Sequence, residues 1–170
     1  MERIPAATWR EHPGHVARYE YAAQHLLDGE TVNDIACGIG YGAMLLPRAR
    51  CRGYDRPGVP DLAFPGAFHV ADLDDPGWAP DPADVTVCFE TLEHVKDPAH
   101  LARVITATTR RAIVVSVPVV PTRHENPHHL HDFTEADIPP LFDGFTVVDE
   151  WAQPDEVSHV WLLERRPHSG

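Results

Sequence analysis

The segment Asp34-Ile35-Ala36-Cys37-Gly38-Ile39-Gly40-Tyr41-Gly42 limits the fold more than any other part of this chain. It joins a short strand-like run, 31–36, to a helix-forming run, 41–49, that Pro47 ends or bends. Glycines at 38, 40 and 42 let the backbone reach positive φ and pass close to a bound molecule. The helix start beyond them offers free N–H groups to an anionic part of that molecule. Asp55 closes the next strand, 51–55, and stands 17 residues after Gly38. A carboxylate there can accept both hydroxyls of a ribose. Spacing alone allows a nicotinamide-dinucleotide site, because Gly38, Gly40 and Ala43 satisfy the looser G-x-G-x-x-A form. It also allows a tight turn beside a surface aspartate.

The rest of the chain extends the same alternation. Apolar residues at 16, 19, 22, 23, 26 and 27 form a helical stripe over 15–27, stopped by Asp28-Gly29. Further strands are expected at 67–71, 84–89 and 112–117, with a helix at 97–108 opened by Asp97-Pro98. Strand–helix alternation from 31 to about 117 predicts an α/β, mostly parallel sheet. A short helix starts at Thr134, and 144–151 with 158–165 read as an antiparallel end pair. The connections 56–66 and 72–83 are too rich in proline and glycine for helices of useful length. The strand between them is therefore an edge with thin cover.

At 170 residues, the chain is expected to form a single domain over 1–170 with its own core. It contains no apolar run long enough to cross a membrane, and residues 1–30 lack a leader pattern, so a cytoplasmic location is expected. Cys37, Cys51 and Cys88 read as reduced core thiols. A net charge of −12 argues against nucleic acid and anionic lipid as partners. Twelve histidines are an excess, and four fall between His124 and His131.

A second motif, Asp84 to Pro98 (DVTVCFETLEHVKDP), resembles the segment after strand four in class I S-adenosylmethionine-dependent methyltransferases. The turn fits their D-x-x-C-G-x-G-x-G pattern, and Ala71-Asp72-Leu73 fits their adenine-side strand end. The likeness begins near Trp9-Arg10-Glu11-His12 and Ala17-Arg18-Tyr19-Glu20. It resumes at Asn126-Pro127-His128-His129-Leu130-His131-Asp132-Phe133-Thr134, a stretch similar to one in methyltransferases of glycan and natural-product pathways.

The resemblance implies a Rossmann-like, seven-stranded, mostly parallel sheet with an antiparallel last strand and reduced helices between strands 2–3 and 3–4. It implies Asp34, Gly38, Gly40 and Gly42 beneath the methionine and ribose parts of S-adenosylmethionine. Asp55 would hold the ribose, Asp72 and Leu73 the adenine, and Phe89 and Glu90 would line the cofactor. Tyr19 and Tyr41 would neighbour the methionine. With little helix after Asp55, the adenine pocket is expected to be open and cofactor binding weak.

The remaining chemistry lies in an acid–histidine set. His94 and His129, with Glu90, are the expected catalytic residues, because imidazole can take a proton from an acceptor near working pH. Glu90, Glu93, His94 and His129 also resemble the ligand set of the metal-dependent small-RNA 3′-terminal 2′-O-methyltransferases, so a divalent metal is a second reading. The expected reaction is methyl transfer to a hydroxyl, or an amine, of a small metabolite, sugar or natural-product intermediate. Alternatives are a non-catalytic cofactor-binding accessory subunit, an RNA 2′-O-methyltransferase and a nicotinamide-dependent reductase, the last disfavoured by E-T-L-E-H-V. A homodimer or a hetero-partner is expected to cover the strand 2–3 edge.

Overall fold

A computed structural model describes residues 4, 5, 7–57, 66–154 and 157–167. Seven strands form one sheet: β1 (Thr31–Ile35), β2 (Arg50–Asp55), β3 (Ala67–Val70), β4 (Ala83–Phe89), β5 (Thr109–Pro118), β6 (Phe145–Ala152) and β7 (Ser158–Arg165). Their order is β3-β2-β1-β4-β5-β7-β6. Strands β1 to β5 are parallel, and β7 runs antiparallel to both β5 and β6. This is the mostly parallel α/β sheet, with an antiparallel last strand, that the sequence implies. The strand order reverses direction between β1 and β4, which opens a crevice beyond their carboxyl ends.

Three helices matter for the site. α1 (Pro13–Gln24) has Pro13 in its first turn, where the missing N–H costs nothing. It buries Arg18, Tyr19 and Ala22 and ends three residues before the expected Leu27, which is exposed. α2 (Gly42–Leu45) is a single turn rather than the expected 41–49, because Pro47 cannot donate to continue it. α3 (Pro98–Thr108) is capped by the Asp97 carboxylate, which accepts the His100 N–H at 2.8 Å.

The sheet separates two apolar layers. Leu92, Leu101, Ile105, Phe142 and Trp161 pack on one face, and Trp9, Tyr19, Leu26, Val87 and Val114 on the other. β7 was expected to alternate, yet its first six residues are all buried. It sits inside the sheet between β5 and β6, so both of its faces are covered. The sheet ends at β3, where Val70 is 65% exposed, and residues 66–82 contain no helix. Most of the proline-rich 56–66 connection, residues 58–65, lies outside the described residues. Cys37, Cys51 and Cys88 are buried free thiols.

Candidate active site

The turn after β1 places three residues at positive φ in five positions: Ala36 at 60°, Gly38 at 58° and Gly40 at 81°. A Cβ added at Gly38 would meet nothing within 4 Å, so the backbone there faces open space. The Gly38 N–H donates to Asp55 Oδ2 at 2.7 Å, and the Arg56 N–H donates to Oδ1 at 2.6 Å. Asp55 thus ties the end of β2 to the glycine turn. It also lines a cleft of about 70 Å³ with Ala36, Arg56, Asp72, Leu73, His94 and Val95. The expected ribose acid and adenine-side residues therefore meet in one place. Asp72 Oδ1 also accepts the Asp74 N–H at 3.0 Å, which shapes the turn after β3.

Gly42 serves a different neighbour. A Cβ there would lie 2.1 Å from Tyr19 Cε1, so its missing side chain makes room for the Tyr19 ring, not for a ligand. The Tyr19 hydroxyl donates to both Asp34 oxygens, at 3.1 and 3.2 Å. Its ring meets Tyr41 and Phe89 edge-on, with centroids 5.4 and 5.0 Å apart. Burial pushes the Asp34 carboxyl up to about 8; the Tyr19 hydrogen bond opposes this and the nearby Asp55 charge adds to it. Tyr19, Tyr41 and Phe89 thus form an aromatic wall, with Asp34 held behind it.

Beyond β4 the chain turns through Glu90, at a φ of 48°. A non-glycine residue in this region stores strain that surrounding contacts must hold. Here the Glu90 N–H donates to the Ser116 carbonyl at 3.0 Å. The Ser116 hydroxyl donates to Glu90 Oε1 at 2.7 Å and the Ser158 hydroxyl to Oε2 at 2.8 Å. The Arg18 guanidinium lies 3.7 Å from Oε2. Both Glu90 oxygens are engaged, so the carboxylate is built as an anchor joining β4, β5, β7 and α1.

Glu93 and His94 follow on a short 3₁₀ turn, Leu92–His94. The Glu93 carbonyl accepts the N–H groups of Leu130 at 2.7 Å and His131 at 3.3 Å, which fixes the histidine-rich loop above β4. His94 and His129 then meet edge-on, centroids 4.6 Å apart. His94 Nδ1 lies 2.9 Å from the His128 carbonyl, an acceptor, so this nitrogen carries the proton and Nε2 keeps its lone pair. His129 Nδ1 pairs with the Thr122 hydroxyl at 2.6 Å. Burial lowers the His94 imidazole to about 4, against the pull of the His128 carbonyl, and burial also lowers His129. Burial, reinforced by the Glu90 charge, raises the Glu93 carboxyl well above the usual range. One donor atom from each of Glu93, His94 and His129 lies within 4.8 Å of the other two.

These parts share a cavity of about 340 Å³ whose lining includes Tyr19, Gly38, Tyr41, Glu93, His94 and His129. His94 also borders the Asp55 cleft, so the two spaces adjoin. The arrangement can hold a ribose-bearing ligand along the glycine turn and a second molecule against the two imidazoles. Sequence reasoning missed Arg18, Ser116 and Ser158 as the residues that lock Glu90. The available signal was Ser116 itself, a hydroxyl interrupting the apolar run of β5. Trp78 and Trp151 lie away from this cavity; Trp78 packs on Tyr54 and Trp151 on Tyr21.

No protein-family model and no curated sequence matches the chain. Solved structures do. Magnesium protoporphyrin IX methyltransferase (ChlM) from Synechocystis PCC 6803, with bound S-adenosylhomocysteine, is similar at a TM-score of 0.73 and 16% identity, over 98% of this chain and 90% of that one. CalO1, a methyltransferase in calicheamicin biosynthesis, also in its S-adenosylhomocysteine-bound form, gives 0.68 and 16%, over 92% of this chain and 55% of that one. The mitomycin 7-O-methyltransferase MmcR gives 0.70 and 17%, over 89% and 54%. The chain therefore has the class I methyltransferase fold. No helix of the described residues is long and apolar enough to cross a membrane.

Proposed function

We propose that this chain transfers the methyl group of S-adenosylmethionine to a hydroxyl of a small metabolite, sugar or natural-product intermediate. The observation that carries the reading is the adjacency of the Asp55 cleft, through the shared Ala36 and His94, to the cavity bearing Gly38, His94 and His129. When bound, the cofactor supplies a methyl on a sulfonium, which an acceptor oxygen takes as the carbon–sulfur bond breaks and its electron pair passes to sulfur.

The chain's own residues position and deprotonate. Asp55, which holds the Gly38 turn, would take the ribose hydroxyls, and Asp72 and Leu73 would border the adenine. The wall of Tyr19, Tyr41 and Phe89, braced from behind by Asp34, would meet the methionine end. Most of the acceleration comes from holding the acceptor in line. His129 is the better proton acceptor: it is less enclosed than His94, and the engaged Glu90 does not compete with it. The similarity to a 7-O-methyltransferase and to a calicheamicin-pathway enzyme supports a small acceptor, and the net charge of −12 supports one other than RNA.

The test is transfer of labelled methyl from S-adenosylmethionine to a panel of phenols, sugar alcohols, carboxylates and amines, with products identified by mass spectrometry. Methyl ethers are expected, and their formation should fall at least tenfold in H129A. Labelled amines without ethers would overturn the hydroxyl assignment. Transfer that needs a second protein would mark this chain as an accessory subunit.

A further inference from the structure

Among the described residues, Glu93 is a buried carboxylate without a hydrogen-bond partner. Its side chain is buried, 1% exposed, and neither carboxylate oxygen has a hydrogen-bond partner. Buried carboxylates are ordinarily paired, hydrogen-bonded or bound to a metal. The nearest cationic candidate, His94 Nε2, is 3.8 Å from Glu93 Oε1, too far for a hydrogen bond.

The two imidazoles are equally prepared. His94 Nδ1 is taken by the His128 carbonyl and His129 Nδ1 by the Thr122 hydroxyl, which leaves Nε2 of each ring. Such outer hydrogen bonds orient metal-bound histidines; the His128 carbonyl also fixes the His94 tautomer, and the Thr122 hydroxyl can accept from His129 Nδ1 and leave Nε2 free. The backbone is fixed as well, because the Glu93 carbonyl accepts N–H groups from the loop that carries His129. A carboxylate oxygen and two imidazole nitrogens thus converge within 4.8 Å of one another at the wall of the large cavity.

We propose that Glu93, His94 and His129 bind one divalent transition-metal cation whose open positions face the acceptor end of the cavity. Two nitrogens and one carboxylate suit Zn²⁺, Fe²⁺, Co²⁺ or Mn²⁺ better than Mg²⁺. Glu90 is outside the ligand set, because Ser116, Ser158 and Arg18 occupy its oxygens. This corrects the four-residue set that the sequence suggested. Three protein ligands leave positions for water or an acceptor oxygen, whose hydroxyl the ion would make more acidic; with His129 Nε2 on the ion, that acidity replaces the proton acceptance assigned above to His129 in the metal-free site. The binding site stands on geometry; its role in activating an acceptor rests on the methyl-transfer reading above.

The experiment uses chelator-stripped protein titrated with Co²⁺, read by visible d–d absorption and by calorimetry. One equivalent is expected to bind, with at least tenfold weaker binding in E93Q and in H129A and no change in H124A. S-adenosylhomocysteine titrated into the same variants checks that they are folded. In wild type, Co²⁺ should shift the ring resonances of His94 and His129, a readout that needs no variant. Absence of stoichiometric binding, shifts confined to other histidines, or full affinity in both E93Q and H129A would overturn the site. Cobalt binding without S-adenosylhomocysteine binding would keep the site and refute the methyltransferase reading; the converse would do the opposite.

Discussion

Replacing Gly42 with alanine should break the aromatic wall of the candidate site from behind. The new Cβ would sit 2.1, 2.3 and 2.8 Å from Tyr19 Cε1, Cζ and Cδ1. Carbon pairs rest at roughly 3.5–4.0 Å, so the ring would have to retreat by more than about 1 Å. Its exits are closed by Tyr41 and Phe89, and its hydroxyl is fixed on Asp34. Overpacking of this kind costs about 1–3 kcal/mol. Loss of edge-on aromatic geometry and of one hydrogen bond brings the expected destabilisation to about 2–4 kcal/mol. Urea unfolding followed by fluorescence reads it, with the slope on denaturant unchanged. The decisive control is a double-mutant cycle with Y19A, which removes the ring. In that background G42A should cost less than about 1 kcal/mol, since an alanine relieved of its clash is a mild change. An equal penalty in both backgrounds, or a neutral G42A in the wild type, would refute the assignment of Gly42 to Tyr19.

Three further outcomes follow from the same contacts. R18M should lower stability by about 2–3 kcal/mol in urea unfolding, less than the full cost of breaking a buried pair, because Glu90 keeps two hydroxyl donors. Asp34 holds its proton to about pH 8 when folded and releases it near 3.8 when unfolded, so its contribution is complete below pH 4 and is lost as pH rises to about 8. D34N should therefore gain stability relative to wild type across that window, and parallel pH profiles would contradict the burial of Asp34. Light scattering should give a mass above 18.9 kDa if a second copy pairs with the exposed β3 edge, and V70K should return the protein to monomer; a wild-type monomer would show that the loops suffice.

The sheet was legible because its strands carry their signal locally. The apolar run around β5, the glycine turn and Asp55 each announce a position without reference to distant residues. What escaped depends on partners far along the chain. Gly42 resembles a ligand-facing glycine until the ring of Tyr19 occupies its empty side. Glu90 resembles a base until Ser116, Ser158 and Arg18, from three other elements, engage its carboxylate. β7 resembles a half-buried strand until its place between β5 and β6 covers both faces. The convergence of Glu93 with His94 and His129 was legible in type, through the E-x-x-E-H spacing. Which of the two glutamates is available became clear only from their hydrogen bonds.

Binding of S-adenosylhomocysteine, measured by calorimetry on wild type and D55A, decides whether the glycine turn and Asp55 form the cofactor site. The geometry predicts saturable binding of one equivalent to the wild type. D55A should bind at least tenfold more weakly while retaining a cooperative melt, because the carboxylate holds the Gly38 turn and would also meet the ribose. No heat with S-adenosylhomocysteine alongside saturable binding of NADH, or equal affinity in D55A, would contradict it.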